Sequence, residues 1–88
     1  MSSSPVYLIY GITDCPACLR ACADLMERDI EYVFIETDFA PSYRERIKKQ
    51  FEWKTMPLIV KLFRDEETLV GGYDDLVHLL TYKSKSPT

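Results

Sequence analysis

Cys15 and Cys18 are separated only by Pro16 and Ala17, and a third cysteine, Cys22, follows four positions later. Two thiols at this spacing can close a disulfide within one helical turn and reopen it, so their natural chemistry is exchange with another disulfide. An odd, clustered set of cysteines does not tie distant segments together, which marks a site rather than the framework of a secreted module. The same spacing also makes half of a zinc site. The second half is missing, because the remaining candidates are Cys22 and the lone His78, 60 residues beyond Cys18. Redox use is therefore the favoured reading, with no metal assigned. Cys22 falls on one helical face with Ala21 and Leu25 and reads as a small buried residue rather than a third redox thiol. His78 is given no role.

The elements around the pair decide which sulfur reacts. Val6-Tyr7-Leu8-Ile9-Tyr10, ended by Gly11, has the β-branched and aromatic make-up of a buried strand. From Cys15 the period changes. Cys18, Ala21, Cys22, Leu25 and Met26 recur at helical spacing, while Arg20, Asp24, Glu27 and Arg28 take the other face. Pro16 suits the first turn of that helix, which makes Cys15 the expected N-cap. Backbone N–H groups of the opening turn, that of Cys18 included, then point at the Cys15 sulfur and should lower its pKa below the ~8.5 of a free thiol. Asp14, just before it, works against that shift. Cys18, one turn further in, should be shielded. Cys15 is thus expected to be the catalytic nucleophile and Cys18 the resolving thiol.

Further along, Glu31–Glu36 reads as a second strand, and a second helix is expected from Pro41-Ser42, with Ser42 and Glu45 as a capping box and Tyr43, Ile47 and Phe51 inward. Leu58–Phe63 and Thr68–Val70, joined by the polar turn Arg64–Glu67, read as an antiparallel hairpin. Gly71-Gly72 closes it. Tyr73–Tyr82 reads as a last helix with Leu76, Val77, Leu79 and Leu80 inward. The order β-α-β-α-β-β-α predicts an α/β fold: a four-stranded mixed sheet with a right-handed parallel crossover and helices on both faces.

The 88 residues allow one domain, spanning the whole chain, with residues 1–4 and 83–88 expected to be flexible ends. A charge of −3 supplies no electrostatic reason to bind nucleic acid or a membrane surface, and 12% aromatic residues with only three glycines and five prolines argue against disorder. Val6–Tyr10 is too short to span a bilayer, and Met1–Pro5 lacks a basic region and reads as an exposed leader. A cytoplasmic, soluble protein is the expectation. No internal repeat or low-complexity block is present.

Three separated motifs carry a resemblance: Cys15-Pro16-Ala17-Cys18, Thr55-Met56-Pro57 before the third strand, and Gly71-Gly72-Tyr73-Asp74-Asp75-Leu76 leading into the last helix. In this order, with these elements between them, the chain resembles the glutaredoxins, small thioredoxin-fold oxidoreductases, over nearly its whole length. The resemblance implies a cis bond before Pro57, with Met56 offering its backbone N–H and C=O to glutathione as an added antiparallel strand. A turn forced by proline leaves such groups free beside the sulfur. It also implies that Gly72 and Tyr73 present N–H groups to the γ-glutamyl carboxylate, with Asp74 facing the ammonium. Thr55, Met56, Pro57, Gly72, Tyr73 and Asp74 are accordingly the expected glutathione contacts.

The departures from the family pattern fall on those contacts. Ala17 replaces a common tyrosine, Ile12 replaces a basic residue three before the nucleophile, and Tyr73 replaces a small residue after the glycines. Tyr73 and Thr-Met-Pro are closer to the phage-type glutaredoxins. A substitute cation for the glycyl carboxylate could come from Arg44, Arg46, Lys48, Lys49 or Lys54, with Gln50 as a neutral partner.

The expected activity is glutathione-dependent thiol-disulfide exchange on protein disulfides and glutathione mixed disulfides, by a monomer. Glutathione is a co-substrate; no cofactor is expected, because the two sulfurs carry both electrons. Electron donation to ribonucleotide reductase is implied by the resemblance and carried by no residue here. Two rivals stand beside this reading: a redoxin recharged by thioredoxin reductase, and a module holding an iron–sulfur cluster with glutathione between two protomers. Pro16 counts against the second, being associated in the family with poor cluster binding. An idle adaptor of the same fold is a third.

Overall fold

The computed structural model describes residues 4–85, with side chains through residue 81. The order is β1 Val6–Gly11, α1 Pro16–Glu27, β2 Tyr32–Glu36, α2 Pro41–Phe51, β3 Leu58–Phe63, β4 Glu66–Gly71 and α3 Tyr73–Lys85. The strands form one sheet in the order β2-β1-β3-β4, with β1 parallel to β2 and the other pairs antiparallel. This is the mixed sheet of the thioredoxin fold. The expected flexible ends at 1–3 and 86–88 lie outside the described residues, while 83–85 continue α3.

Alternation along β1 and β3 divides the core. On one face Tyr7, Ile9 and Ile59 pack with Ala21 and Leu25 of α1 and Leu76 and Leu80 of α3. On the other, Tyr10, Leu58 and Val60 meet Ile47 of α2, with Phe51 and Trp53 at the margin. Helices therefore cover both faces, as period-2 strands buried on each side require.

Several local expectations change. Met26, at the end of the apolar stripe of α1, is 65% exposed. Cys18, Ala21 and Leu25 already fill the width that faces the sheet, and Met26 lies past its edge. Ser42 forms no capping box: the N-cap lies two residues earlier, at Ala40 with no side-chain cap, because Pro41 suits the first helical position. Tyr43 stays 37% exposed and instead meets the Tyr10 ring at 6.2 Å between centroids. The hairpin turn is only Arg64-Asp65, both at positive φ, so β4 starts at Glu66, opposite Phe63. Two left-handed residues match the strand twist, and a longer polar turn is not needed. Glu31 lies just outside β2.

Candidate active site

Cys15 is the N-cap of α1, in extended conformation, with Pro16 following in the first turn. The Cys18 N–H donates to Cys15 Sγ at 3.2 Å. The two sulfurs are joined as a disulfide, Cα atoms 5.3 Å apart. Cys18 is fully buried, whereas Cys15 is only partly covered. The geometry thus separates an outer sulfur that accepts from one backbone N–H from an inner, buried one. No acidic residue lies in the first turn of α1.

Gly11 explains how Cys18 reaches its depth. A Cβ at position 11 would stand 2.7 Å from Cys18 Sγ and 3.0 Å from the Phe34 ring, so the absence of a side chain there is what lets the first turn of α1 settle on the end of β1. Gly11 is in turn held from the next element. The Thr37 N–H and hydroxyl both donate to the Gly11 carbonyl, at 2.8 and 2.9 Å, and Thr37 is fully buried. Asp38 accepts from the Thr13 N–H at 3.2 Å and also from the Thr13 hydroxyl. The segment leading to Cys15 is therefore fastened at Gly11 and Thr13 by the loop after β2. Sequence reasoning passed over Thr37 and Asp38; a polar pair directly after an apolar strand was the available signal.

The three motif segments converge. Tyr10 pairs with Leu58 across β1 and β3, which sets Gly11 opposite Pro57 one step beyond the ladder. The Met56–Pro57 bond is cis, and Pro57 is buried. Position 72 adjoins the same place: a Cβ on Gly72 would lie 3.8 Å from the Pro57 carbonyl oxygen and 3.5 Å from Trp53 Cζ2. Trp53 was not among the expected site residues. It is aimed here by the end of α2, where Glu52 adopts a left-handed conformation and the Trp53 N–H donates back to the Lys48 carbonyl at 2.9 Å. Its indole Nε1 is buried without a hydrogen-bond partner among the described residues.

Around Gly72 the side chains differ from expectation. The Gly72 N–H donates to Asp75 Oδ2 at 2.9 Å rather than standing free, since Asp75, three residues on, closes the cap of α3 on itself. Gly71, at φ 120°, packs so closely on Asp75 that a Cβ would run into its carboxylate. The Tyr73 hydroxyl donates to Asp24 Oδ2 at 2.8 Å, carrying its ring toward α1; this bond holds the phenol above its usual pKa. Asp74 is exposed at the first turn. Thr55 is exposed and Met56 partly covered.

The candidate cations separate. Arg44 donates to the Thr37 carbonyl at 3.3 Å and braces the loop beneath Gly11. Lys48 pairs with Glu45 at 3.5 Å. Lys48, Lys49 and Lys54 line a groove of about 530 Å³ with Trp53, Glu45 and Glu52; Arg46 and Gln50 do not. Cys22 packs beside the α1/α3 core, where burial pushes its thiol up. His78 is exposed on α3. Among the described residues no group of three or more His, Cys, Asp or Glu could hold a metal ion, and no helix is long and apolar enough to cross a membrane.

Residues 7–62 match the family model for glutaredoxin. No curated protein matches the chain in sequence. Among solved structures, a Brucella melitensis glutaredoxin superposes with a TM-score of 0.68 at 26% identity, over 91% of this chain and 83% of its own. A buckwheat glutaredoxin, solved as its glutathione complex, gives 0.74 at 17% identity, over 92% and 73%. A Fasciola hepatica thioredoxin gives 0.61 at 12% identity, over 97% and 84%, which is a likeness of fold alone.

Proposed function

The chain belongs to the glutaredoxin family of thiol-disulfide oxidoreductases, and from that premise we propose that it reduces protein disulfides and glutathione mixed disulfides with electrons from glutathione. In the reduced enzyme the Cys15 thiolate attacks one sulfur of the substrate disulfide. That S–S bond breaks, a mixed disulfide forms, and the departing thiolate takes a proton from water. Cys18 then attacks Cys15, freeing the second substrate thiol and leaving Cys15–Cys18 oxidised. One glutathione reopens this bond on Cys15; a second leaves with the first as glutathione disulfide. Two electrons pass from the two glutathiones to the dithiol and from the dithiol to the substrate, so the sulfurs carry them without a metal or organic cofactor.

The observation that carries this reading is the Cys18 N–H bonded to Cys15 Sγ at the opening of α1, with Cys18 buried behind it. A negative sulfur is favoured at that position, and the buried one is kept for resolution. Met56, one residue before Pro57 and beyond the end of the ladder, supplies the backbone pair for an incoming strand. A single residue can exchange both hydrogen bonds with one partner residue only in antiparallel pairing, which sets the direction of the substrate chain. The first-turn N–H groups of Tyr73 and Asp74 remain for a γ-glutamyl carboxylate, since Asp75 takes that of Gly72. A buckwheat relative holds glutathione, in keeping with this assignment. The reading implies a reducing compartment such as the cytoplasm, and ribonucleotide reductase is one protein substrate to assay.

The test is the alkylation rate against pH for reduced Cys18→Ser and Cys15→Ser proteins. Cys15 should react with a midpoint below the ~8.5 of a free thiol, and Cys18 slowly throughout. Cys15→Ser should abolish turnover, while Cys18→Ser should still accept glutathione from mixed disulfides. A Cys15 midpoint at or above the free-thiol value would reject the reading. One observation favours a second electron source: the Tyr73 side chain is committed to Asp24, and Ile12 supplies no cation, so less side-chain chemistry is left to hold glutathione. Turnover with thioredoxin reductase and none with glutathione plus its reductase would decide for that source.

A further inference from the structure

The surface around Gly72 and Trp53 carries opposite charge at its two ends. At one end, next to Gly72, the first turn of α3 carries Asp74 and Asp75. Asp75 is bonded to the Gly72 N–H and Asp74 is exposed, and neither is ion-paired among the described residues. At the other end the chain runs from Met56 back through Thr55 to Lys54, which lines the Trp53 groove with Lys49. Lys48 and Glu45 largely cancel there as a pair, leaving Lys49 and Lys54 against the single carboxylate of Glu52. The wider segment 41–54 holds five of the chain's eleven cations and two of its fourteen acids. The Trp53 indole stands between the two ends, its edge against Gly72.

A substrate strand antiparallel to Met56 meets these ends in a defined order. The residue before its reacting cysteine lies toward the Pro57 carbonyl, Gly72 and Asp74. Those after it run toward Thr55 and Lys54. We infer that this surface reads charge order along a polypeptide substrate, favouring disulfides whose reacting cysteine is preceded by Lys or Arg and followed by Asp or Glu. This rests on the reading of the dithiol given above and adds the class of protein substrate.

Two peptide disulfide dimers of identical composition provide the test, one with Lys-Lys-Cys-Glu-Glu at its centre and one with Glu-Glu-Cys-Lys-Lys. Their net charge is the same, so attraction to the molecule as a whole cancels. With glutathione and its reductase, kcat/KM for the first should exceed the second by about tenfold at low salt, and the ratio should fall toward about twofold at 1 M salt, as expected for exposed charges. The double variant Asp74→Asn with Lys54→Gln should bring the low-salt ratio close to one, whereas Arg64→Gln, at the far hairpin turn, should leave it in place. Equal rates, a reversed preference, a ratio indifferent to salt, or a ratio kept by the double variant would each overturn the inference. Failure to reduce either peptide, together with a Cys15 that alkylates as a free thiol, would instead remove the oxidoreductase reading beneath it.

Discussion

Helices α1 and α3 both open at the same end of the sheet, since β1 and β4 run in the same direction, yet their first turns are furnished in opposite ways. The first turn of α1 has no acidic residue, and its N-cap acceptor is the sulfur of Cys15. The first turn of α3 has Asp74 and Asp75, and Asp75 closes on the Gly72 N–H. Each helix start carries about half a positive charge and unpaired N–H groups. In α3 part of that field is met by permanent carboxylates, one of which caps the Gly72 N–H. In α1 it acts on a group whose negative form is the reactive one. The same backbone property meets a carboxylate in one place and a sulfur in the other, and on the function proposed above the second favours the thiolate of the reduced protein.

The support behind the two turns differs as well. Behind α1 lies Gly11, with no side chain, clasped by Thr37. The largest structural effect should therefore come from Gly11→Ala. Its methyl would meet the buried Cys18 sulfur at 2.7 Å, and α1 would have to lift from β1. A loss of about 2 kcal/mol is expected from such overpacking, measured by denaturant unfolding of the oxidised protein, with slower closure of the Cys15–Cys18 bond. An unfolding midpoint equal to that of the parent protein would show that the contact is not limiting.

Giving α1 the chemistry of α3 tests the contrast itself. Ala17→Asp puts a carboxylate in the first turn of α1, where it competes with the thiolate for the same field. The Cys15 alkylation midpoint should rise, and the rate at neutral pH should fall several-fold, roughly as like charges near a helix start predict. The reciprocal change, Asp75→Ala, should cost about 1 kcal/mol of stability through the lost cap while leaving Cys15 alkylation as it was. If Asp75→Ala altered the thiol and spared stability, the division of labour between the two helices would be wrong.

The smallest expected effect concerns the tie between the helices. The Tyr73 phenol has a raised pKa in the folded protein, mainly because its hydroxyl donates to Asp24. The folded state therefore keeps that proton to higher pH than the unfolded chain does. This contribution to stability is present below the ordinary tyrosine value of about 10 and is lost as pH rises through the folded value. Tyr73→Phe should flatten that part of the alkaline decline in unfolding free energy. Tyr10, pushed up to about 12 by burial first and by its hydrogen bond with Tyr43 second, should still titrate late in the variant's ultraviolet absorbance.

How much of this was legible in the chain depends on how far apart the interacting residues are. The N-cap role of Cys15 and the donor from Cys18 are three residues apart, so spacing and Pro16 suffice to foresee them. The strand and helix order followed from periodicity for the same reason. The failures lie where a local pattern had to compete with its surroundings. Ser42 and Glu45 had the spacing of a capping box, but Pro41 started the helix two residues sooner than that box requires. Met26 had the right period and fell beyond the edge of the buried face.

By itself, then, the sequence determined a dithiol at a strand-to-helix junction, the order of seven elements, and a concentration of positive charge along 41–54, because each is a property of neighbours on the chain. Tertiary structure alone decided what holds and surrounds that dithiol: Thr37 on Gly11, 26 residues away; Asp38 on Thr13, 25 away; Tyr73 on Asp24, 49 away; and Trp53 against Gly72. No spacing rule encodes such contacts. They exist only once the sheet has brought separate segments to one end of the molecule, where each hydrogen-bonding group takes the partner that packing leaves within reach.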